Sequence, residues 1–170
     1  MAYASPAQYT SRFGLDEAAQ LLGDEQALLT STLLQDAING AWTGSPSAAE
    51  QAAASAALAR LTRQLLVCSN TMDGYLRAAV ALPLAASDAN AGTLEDCCMA
   101  LTRCALADDA DNATERTDKA GDTWRAWLAD VARGRVQLVG ATGAAAPSSG
   151  GVRTGQAGSS FAWGSFGGVR

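Results

Sequence analysis

A stretch without proline from residue 47 to residue 82 is the feature that most limits what this chain can fold into. It opens on a Ser-Ala-Ala-Glu sequence at residues 47–50, in which the serine hydroxyl and the glutamate carboxylate can each accept a bond from a backbone N–H at a helix start. Alanine, the residue with the highest helix propensity, is frequent within it. The sequence therefore predicts one long helix that begins near Ala48 and ends before Pro83.

The apolar residues of this long helix recur at alternating steps of three and four residues, the spacing of a heptad stripe. They are Leu58, Leu61, Leu65, Cys68, Met72, Tyr75 and Ala79. Such a stripe packs along another helix, but periodicity does not tell whether that helix belongs to the same chain or to a neighbouring subunit. These residues are therefore candidates for core packing and for subunit packing. Gly74 interrupts the stripe, which predicts a bend or a close approach at that point.

Helix start and stop signals divide the rest of residues 1–139 into shorter helices. Ser5 can cap a helix that opens on Pro6 and is closed by Gly14, and Thr93 and Thr114 are the predicted caps of two later helices. The predicted ranges are 6–13, 16–22, 24–38, 93–107 and 114–134, followed by a short extended segment at 135–139. Trp124 and Trp127 share a face of the last helix, where core packing and a protein interface both remain open.

Residues 140–170 differ from the rest in composition, because they consist of Gly, Ser, Ala and Thr with isolated larger residues. A segment of this kind buries too little apolar surface to offset the entropy of ordering its backbone. The fold class predicted for the whole chain is mostly α. We expect a small helical bundle with one long central helix over residues 1–139, and an extended, irregular C-terminal arm over residues 140–170.

The larger side chains of the arm are candidates for docking to a partner. They are Arg153, Phe161, Trp163, Phe166 and Arg170. An extended peptide can place alternate aromatic side chains in the pockets of another chain while its backbone supplies hydrogen bonds. The other interpretation is that these aromatic residues are simply exposed on a disordered end.

The net charge of −5 is distributed unevenly along the chain. Residues 1–133 hold 9 basic and 17 acidic side chains, whereas residues 134–170 hold three arginines and no acid. An acidic body repels a phosphate backbone, so tight sequence-specific DNA binding is not expected, although contact with passing DNA is compatible with it. A signal peptide and a membrane-spanning stretch are both absent from the pattern, so we expect a soluble protein made in the cytoplasm.

Most enzymatic chemistry lacks its usual residues in this sequence. The chain has no histidine, which removes the commonest general base and the commonest nitrogen ligand of zinc. No phosphate-binding glycine motif is present, and the acidic residues at 108–115 lack the pattern of a calcium loop. We therefore expect no enzyme activity, no cofactor and no metal.

Four cysteines remain to be placed: Cys68, Cys97, Cys98 and Cys104. They lack paired CxxC spacing, so they are best interpreted as small buried hydrophobic residues, with redox or metal-binding roles as the weaker alternatives. An enzyme with Cys68 or Cys104 as its nucleophile would have no histidine to activate the thiol.

Three stretches carry a resemblance to a known family: MAYASPAQYTSRFG with the following DEAAQLL, the middle DGYLRAAVALPL, and the closing TERTDKAGDTWRAWLADVARGRVQL. They resemble the head–tail adaptor (connector) family of Mu-like tailed bacteriophages. There an aromatic-Ser/Thr-Pro segment leads to Arg-Phe-Gly, Asp-Gly-Tyr-Leu ends in Leu-Pro-Leu, and a helix ending in Trp-Leu leads to Gly-Lys/Arg-Val. The matching residues are Arg12, Phe13, Gly14, Asp73, Gly74, Tyr75, Leu76, Leu82, Pro83, Leu84, Trp127, Leu128, Gly134 and Val136. The chain departs from the pattern at residues 48–59 and after residue 140.

The resemblance implies a structural protein of the virion neck, not an enzyme. It implies a ring of identical subunits, a dodecamer, that binds the portal protein on one face and a stopper or tail-completion protein on the other. Double-stranded DNA would pass through the channel of this ring, without any membrane contact. The alternative is a helical phage protein that acts as an assembly chaperone or regulator and never enters the virion.

Overall fold

The computed structural model of the protein describes residues 2–23, 27–82, 84, 88–107 and 114–139. Within these ranges it forms six helices and no strand: α1 (Pro6–Phe13), α2 (Leu15–Leu21), α3 (Ser31–Asn39), α4 (Ala48–Leu76), α5 (Ala91–Leu106) and α6 (Glu115–Ala132). The predicted mostly α fold with one long helix is confirmed. The short extended segment predicted at 135–139 is wrong, because these residues form turns and irregular backbone.

The hydroxyl caps at three helix starts are confirmed. Ser5 Oγ accepts the N–H of Gln8, whose side-chain oxygen accepts the N–H of Ser5 in return. Ser47 and Glu50 form the same reciprocal pair at the start of α4. Thr114 accepts the N–H of Thr117 at the start of α6. These bonds use backbone donors that the first helical turn cannot satisfy internally.

The start predicted for α3 is wrong. The helix begins at Ser31 instead of residue 24, because Thr30 is extended and its hydroxyl accepts the N–H of Leu33. Ala27, with a φ of +52°, lies in the left-handed region and could not belong to a right-handed helix.

The long helix ends before Pro83 as predicted, although Ala79 of the predicted stripe lies beyond its end, and the start predicted for α5 is wrong. The long helix α4 ends at Leu76, well before Pro83, and a turn follows in which Ala79 and Val80 both donate to the Leu76 carbonyl. The next helix, α5, begins at Ala91 with Asn90 in the cap position, not at Thr93. Residues 108–112, which follow the predicted end of this helix at residue 107, lie outside the described residues.

The core lies along one side of α4, which packs against α1, α3, α5 and α6. The buried residues of this helix are Ala54, Ala57, Leu61, Leu65, Cys68, Ser69, Met72 and Leu76. They meet buried side chains of α5 and α6, including Leu94, Leu101, Leu128 and Val131, in one hydrophobic cluster. The chain's own helices therefore fill most of the predicted stripe. Truncating a fully buried leucine of this kind to alanine typically costs about 2–5 kcal/mol.

The segment before α1 is tied to the far end of α4. The backbone N–H of Tyr3 donates to Ser69 Oγ at 3.0 Å, and the Tyr3 hydroxyl donates to Asp73 Oδ1 at 2.5 Å. Residues four apart lie on the same side of a helix, so a single tyrosine reaches both acceptors. The Asp73 of the Asp-Gly-Tyr-Leu stretch thus pairs with the aromatic residue of the opening segment.

Gly121 marks the closest approach of α5 and α6. A Cβ atom built on this buried glycine would lie 2.7 Å from Cys104 Sγ and 3.2 Å from Cys104 Cβ. The absence of a side chain at residue 121 is therefore what allows α6 to pack at this distance. Gly74 is different, since a Cβ atom there would meet no atom within 4 Å. The close approach predicted at Gly74 is wrong.

The two helical glycines give opposite expectations for the same substitution. We expect Gly121→Ala to lower the free energy of unfolding by about 1–3 kcal/mol, because a methyl group is forced into a packed interface. We expect Gly74→Ala to raise it by up to about 1 kcal/mol, because alanine is the better helix former in open space. Urea unfolding followed by circular dichroism measures both.

A Cys104→Ala background serves as the control for this mechanism. Removing the sulfur atom opposite residue 121 should reduce the penalty of Gly121→Ala, because the shortest contact is lost. A Gly121→Ala variant as stable as the wild type would contradict the close packing of α5 and α6.

Candidate interaction surfaces

The outer face of α4 is the side of the long helix that the core does not cover. It consists of the exposed residues Ala56, Ala59, Arg60, Arg63, Leu66, Val67 and Asn70. Leu66 is 44% and Val67 is 46% exposed, which makes them two of the four exposed large hydrophobic residues in the described part of the chain. No acidic residue lies between Glu50 and Asp73, so the face is both basic and apolar on an otherwise acidic protein.

The buried stripe fixes which way this face points. Each residue turns a helix by about 100°, so Val67 lies on the opposite side of α4 from the buried Leu65. Leu65 is 1% exposed, and the stripe it belongs to is held on several sides by the other helices. The outer face of α4 is therefore a rigid surface that faces away from the core. Exposed apolar residues beside charged ones are typical of protein contact sites.

A shallow groove runs between α1 and α5 on another part of the body. Its lining residues are Ala7, Gln8, Ser11, Arg12, Glu95, Asp96 and Met99. Arg12 forms an ion pair with Asp96 across the groove, whereas Glu95 makes no ion pair within the described residues. The groove thus presents an unpaired carboxylate beside small and apolar side chains.

A second ion pair holds this groove in shape. Arg103 Nε on α5 donates to Glu17 Oε1 on α2 at 2.5 Å. The same guanidinium lies over the ring of Phe13, with 4.9 Å between its central carbon and the ring centroid. A cation over an aromatic face is attracted by the ring quadrupole. One arginine therefore joins α1, α2 and α5.

Asn90 anchors the last described residue of the chain. Its Oδ1 accepts the N–H of Val139 at 2.9 Å, and its Nδ2 donates to the Val139 carbonyl at 2.8 Å. Asn90 is 6% exposed and its backbone N–H donates to Asp88. The Asn90 side chain thus bonds to Val139 and to Asp88, and α5 has no side-chain cap. Residue 139, which precedes residues 140–170 in the sequence, is therefore fixed to the body.

A third surface surrounds Trp42, which is 37% exposed. It lies at the end of α3 against α4, in a shallow hollow whose lining residues include Ala37, Gly40, Ser55, Leu58 and Ala59. The buried Asp36 accepts bonds from both the backbone and the hydroxyl of Thr43. These two bonds hold the loop that carries Trp42.

The predicted packing residues fall into two groups. Leu61, Leu65 and Met72 are buried in the core of their own chain. The partly exposed ones are Leu58, Tyr75, Trp124 and Trp127. The rings of the two tryptophans are 5.5 Å apart in an edge-to-face arrangement and pack against the core. All five predicted docking residues of the arm, Arg153, Phe161, Trp163, Phe166 and Arg170, lie outside the described residues.

The four cysteines are buried and unpaired, as expected of small hydrophobic residues. Burial raises the pKa of the Cys97 thiol to about 12 and also raises the pKa of Cys68 and Cys98. These three thiols are therefore protonated at neutral pH, and a protonated thiol is a poor nucleophile and metal ligand. In the described part of the chain, no three His, Cys, Asp or Glu side chains are grouped in a way that could hold a metal ion.

Sequence reasoning missed Leu66, Val67 and Asn90. A signal for the first two was present, because Leu65-Leu66-Val67 places three consecutive apolar residues on a helix whose single stripe accommodates only the first. Asn90 gave no such signal, since its partner is 49 residues away in sequence.

Comparison with known proteins gives a match to a family model. The model of the family described as "Bacteriophage Mu, Gp36" matches residues 3–156. No curated protein and no solved structure matches the chain. None of the helices among the described residues is long and apolar enough to cross a membrane.

Asn90→Ala should release residue 139 while leaving the helices intact. Each of the two lost hydrogen bonds to the Val139 backbone contributes about 1 kcal/mol net to stability. The amide of Val139 should therefore lose its protection from hydrogen exchange. Mass-spectrometric hydrogen exchange of a peptide that ends near residue 139 measures this. Asn39→Ala, at the exposed end of α3, is the matched control, and equal exchange in the two variants would contradict the anchor.

The buried thiols predict a loss of stability at alkaline pH. A thiol of the unfolded chain ionises near pH 9.0, whereas Cys97 in the fold does so near 12. Its contribution is therefore fully present below pH 9 and is lost as the pH rises through this window, by about 1.4 kcal/mol per pH unit.

Urea unfolding at pH 7 and pH 10 tests this dependence. Cys97→Ala loses packing at every pH, but the difference in its stability between the two pH values should be smaller than in the wild type. An equal difference in both proteins would contradict the raised pKa of this thiol.

Proposed function

This chain belongs to the bacteriophage Mu Gp36 family, and from that membership we propose that it is a structural protein of the phage neck. In this proposal it is a head–tail adaptor that forms a cyclic ring, binds the portal protein, and links it to a stopper or tail-completion protein. The role is structural, not catalytic, and requires no cofactor. The resemblance suggests a dodecamer.

The observation that carries the proposal is the anchored exit of the arm. The side chain of Asn90 holds Val139 to the body through two hydrogen bonds with the Val139 backbone. Residues 140–170 therefore start from a defined point on a rigid helical unit. A body with a defined exit and a chemically different extension can hold two assembly components at a fixed separation. Such a link is what an adaptor between a head and a tail must provide.

The arm has the composition of a docking peptide. Its aromatic residues Phe161, Trp163 and Phe166 are large apolar anchors, and Arg153 and Arg170 give it a charge opposite to that of the body. Aromatic and arginine side chains supply most of the binding free energy at many interfaces. In this proposal, the arm is the segment that binds the portal protein.

The charge of the body supports a channel role. Residues 1–133 hold 17 acidic and 9 basic side chains. A wall of net negative charge repels the phosphate backbone and lets DNA slide without binding. Contact with double-stranded DNA is therefore expected only in passing.

The test is made on phage particles that carry a defined version of the chain. Mass spectrometry of purified wild-type virions should find the protein. Deleting residues 140–170, or replacing Phe161, Trp163 and Phe166 together by alanine, should leave heads and tails unjoined, because the docking side chains are gone. Electron micrographs of lysates count joined and unjoined particles.

Replacing Thr154, Ser159 and Ser165 by alanine is the matched control in the same arm, and joined particles should form normally. Absence of the protein from wild-type virions would contradict the neck role and favour an assembly chaperone or regulator that never enters the particle. Normal joining by the aromatic triple variant would contradict the role of the arm.

A further inference from the structure

Two charged surfaces of the body carry side chains without partners. On the outer face of α4, Arg60 and Arg63 form no ion pair within the described ranges, and Leu66 and Val67 beside them are about half exposed. In the α1–α5 groove, Glu95 has no partner of opposite charge in the same part of the chain. Because Arg12 and Asp96 of the groove pair with each other, the outer face carries two unpaired cations and the groove one unpaired anion.

The two surfaces are formed by different helices and share no residue. The buried stripe of α4 faces α5, and the outer face of α4 points the other way, since Val67 is about 200° around the helix from Leu65. The α1–α5 groove is formed by two other helices, α1 and α5, which both pack against α4. Two different, complementary surfaces on one subunit produce a head-to-tail contact between copies, which closes into a ring when the rotation per subunit allows it.

We infer that the outer face of α4 docks into the α1–α5 groove of a second copy of this chain, with Arg60 and Arg63 facing Glu95. Leu66 and Val67 then lie against the small and apolar lining of the groove, near Ala7 and Met99. This contact rests on the proposed ring and names the surface that builds it. Buried apolar side chains supply affinity, and the charges select orientation and partner.

Charge argues against two other occupants of the outer face of α4. The chain's own arm carries arginines and no acid, so it repels Arg60 and Arg63 instead of complementing them. Double-stranded DNA offers phosphates, but two arginines around an apolar centre make a small electrostatic footprint on an acidic body. A second copy supplies both an acid and an apolar lining.

The experiment measures self-association of the full chain by sedimentation and native mass spectrometry. Arg60→Glu with Arg63→Glu should weaken association at least about tenfold, because the new acids face Glu95. Glu95→Arg should weaken it in the same way. Arg116→Glu with Lys119→Glu is the matched control, since these exposed residues of α6 undergo the same charge change away from both surfaces.

Reversed charges on both sides should restore the contact. A chain that carries Arg63→Glu and Glu95→Arg should associate within about threefold of the wild type, because the pair is kept with its signs exchanged. Equimolar mixing of the two single variants should give heterodimers, since the acidic face of one fits the basic groove of the other. Neither single variant alone should form dimers.

The inference is wrong if the wild-type chain stays monomeric at about 100 μM, or if the charge-reversed variants associate as well as the control. It is also wrong if reversing the charges of the outer face abolishes DNA binding and leaves self-association unchanged. The neck role is tested separately by the presence of the chain in virions. If the chain is found in virions but its Arg60→Glu, Arg63→Glu variant still assembles, the proposed contact is wrong and the neck role stands. If the chain is absent from virions, the neck role is wrong.

Discussion

Burial of one side of α4 is the constraint on which the rest of the structure depends. Leu61, Leu65 and Met72 are almost completely removed from water, and the other helices are arranged around them. A helix turns steadily, so a stripe wide enough for one core leaves the opposite side in solvent. The same rotation that builds the core therefore places Arg63 and Val67 outside it. The candidate subunit contact is a consequence of the core, not a separate feature.

Directional bonds determine what apolar burial leaves open. The hydrophobic effect is roughly proportional to area and has no direction, so it would accept several placements of the chain ends. Tyr3 selects one for the start through Ser69 and Asp73, and Asn90 selects one for residue 139. Both links join residues far apart in sequence and use side chains whose geometry tolerates little variation. In the proposed adaptor they hold the arm at a fixed place on the body.

The distribution of charge gives the proposed assembly its order. The body is acidic, the arm is basic, and the outer face of α4 is a basic strip within the acidic body. Opposite charges steer association and like charges suppress the wrong pairings. The buried thiols take no part in this chemistry, since burial keeps Cys68, Cys97 and Cys98 protonated. Their contribution is to pack the region where α4, α5 and α6 meet.

The sequence by itself determined the features that depend on neighbouring residues. The capping pairs of Ser5 and Ser47 lie within four residues, and the helical class follows from alanine content and apolar spacing, so both could be predicted. Periodicity also indicated which residues of α4 form a stripe. It could not identify the helix that fills that stripe, because the same spacing serves a partner in the same chain or in another.

Only the tertiary structure decided the features that join distant parts of the chain. The side chain of Asn90 bonds to the backbone of Val139, 49 residues away, and no local pattern records a partner at that distance in sequence. Gly121 is required by Cys104 on a different helix, whereas Gly74 faces open space, although both are helical glycines in the sequence. Helix propensity acts within a few residues, but packing acts between residues that folding brings together.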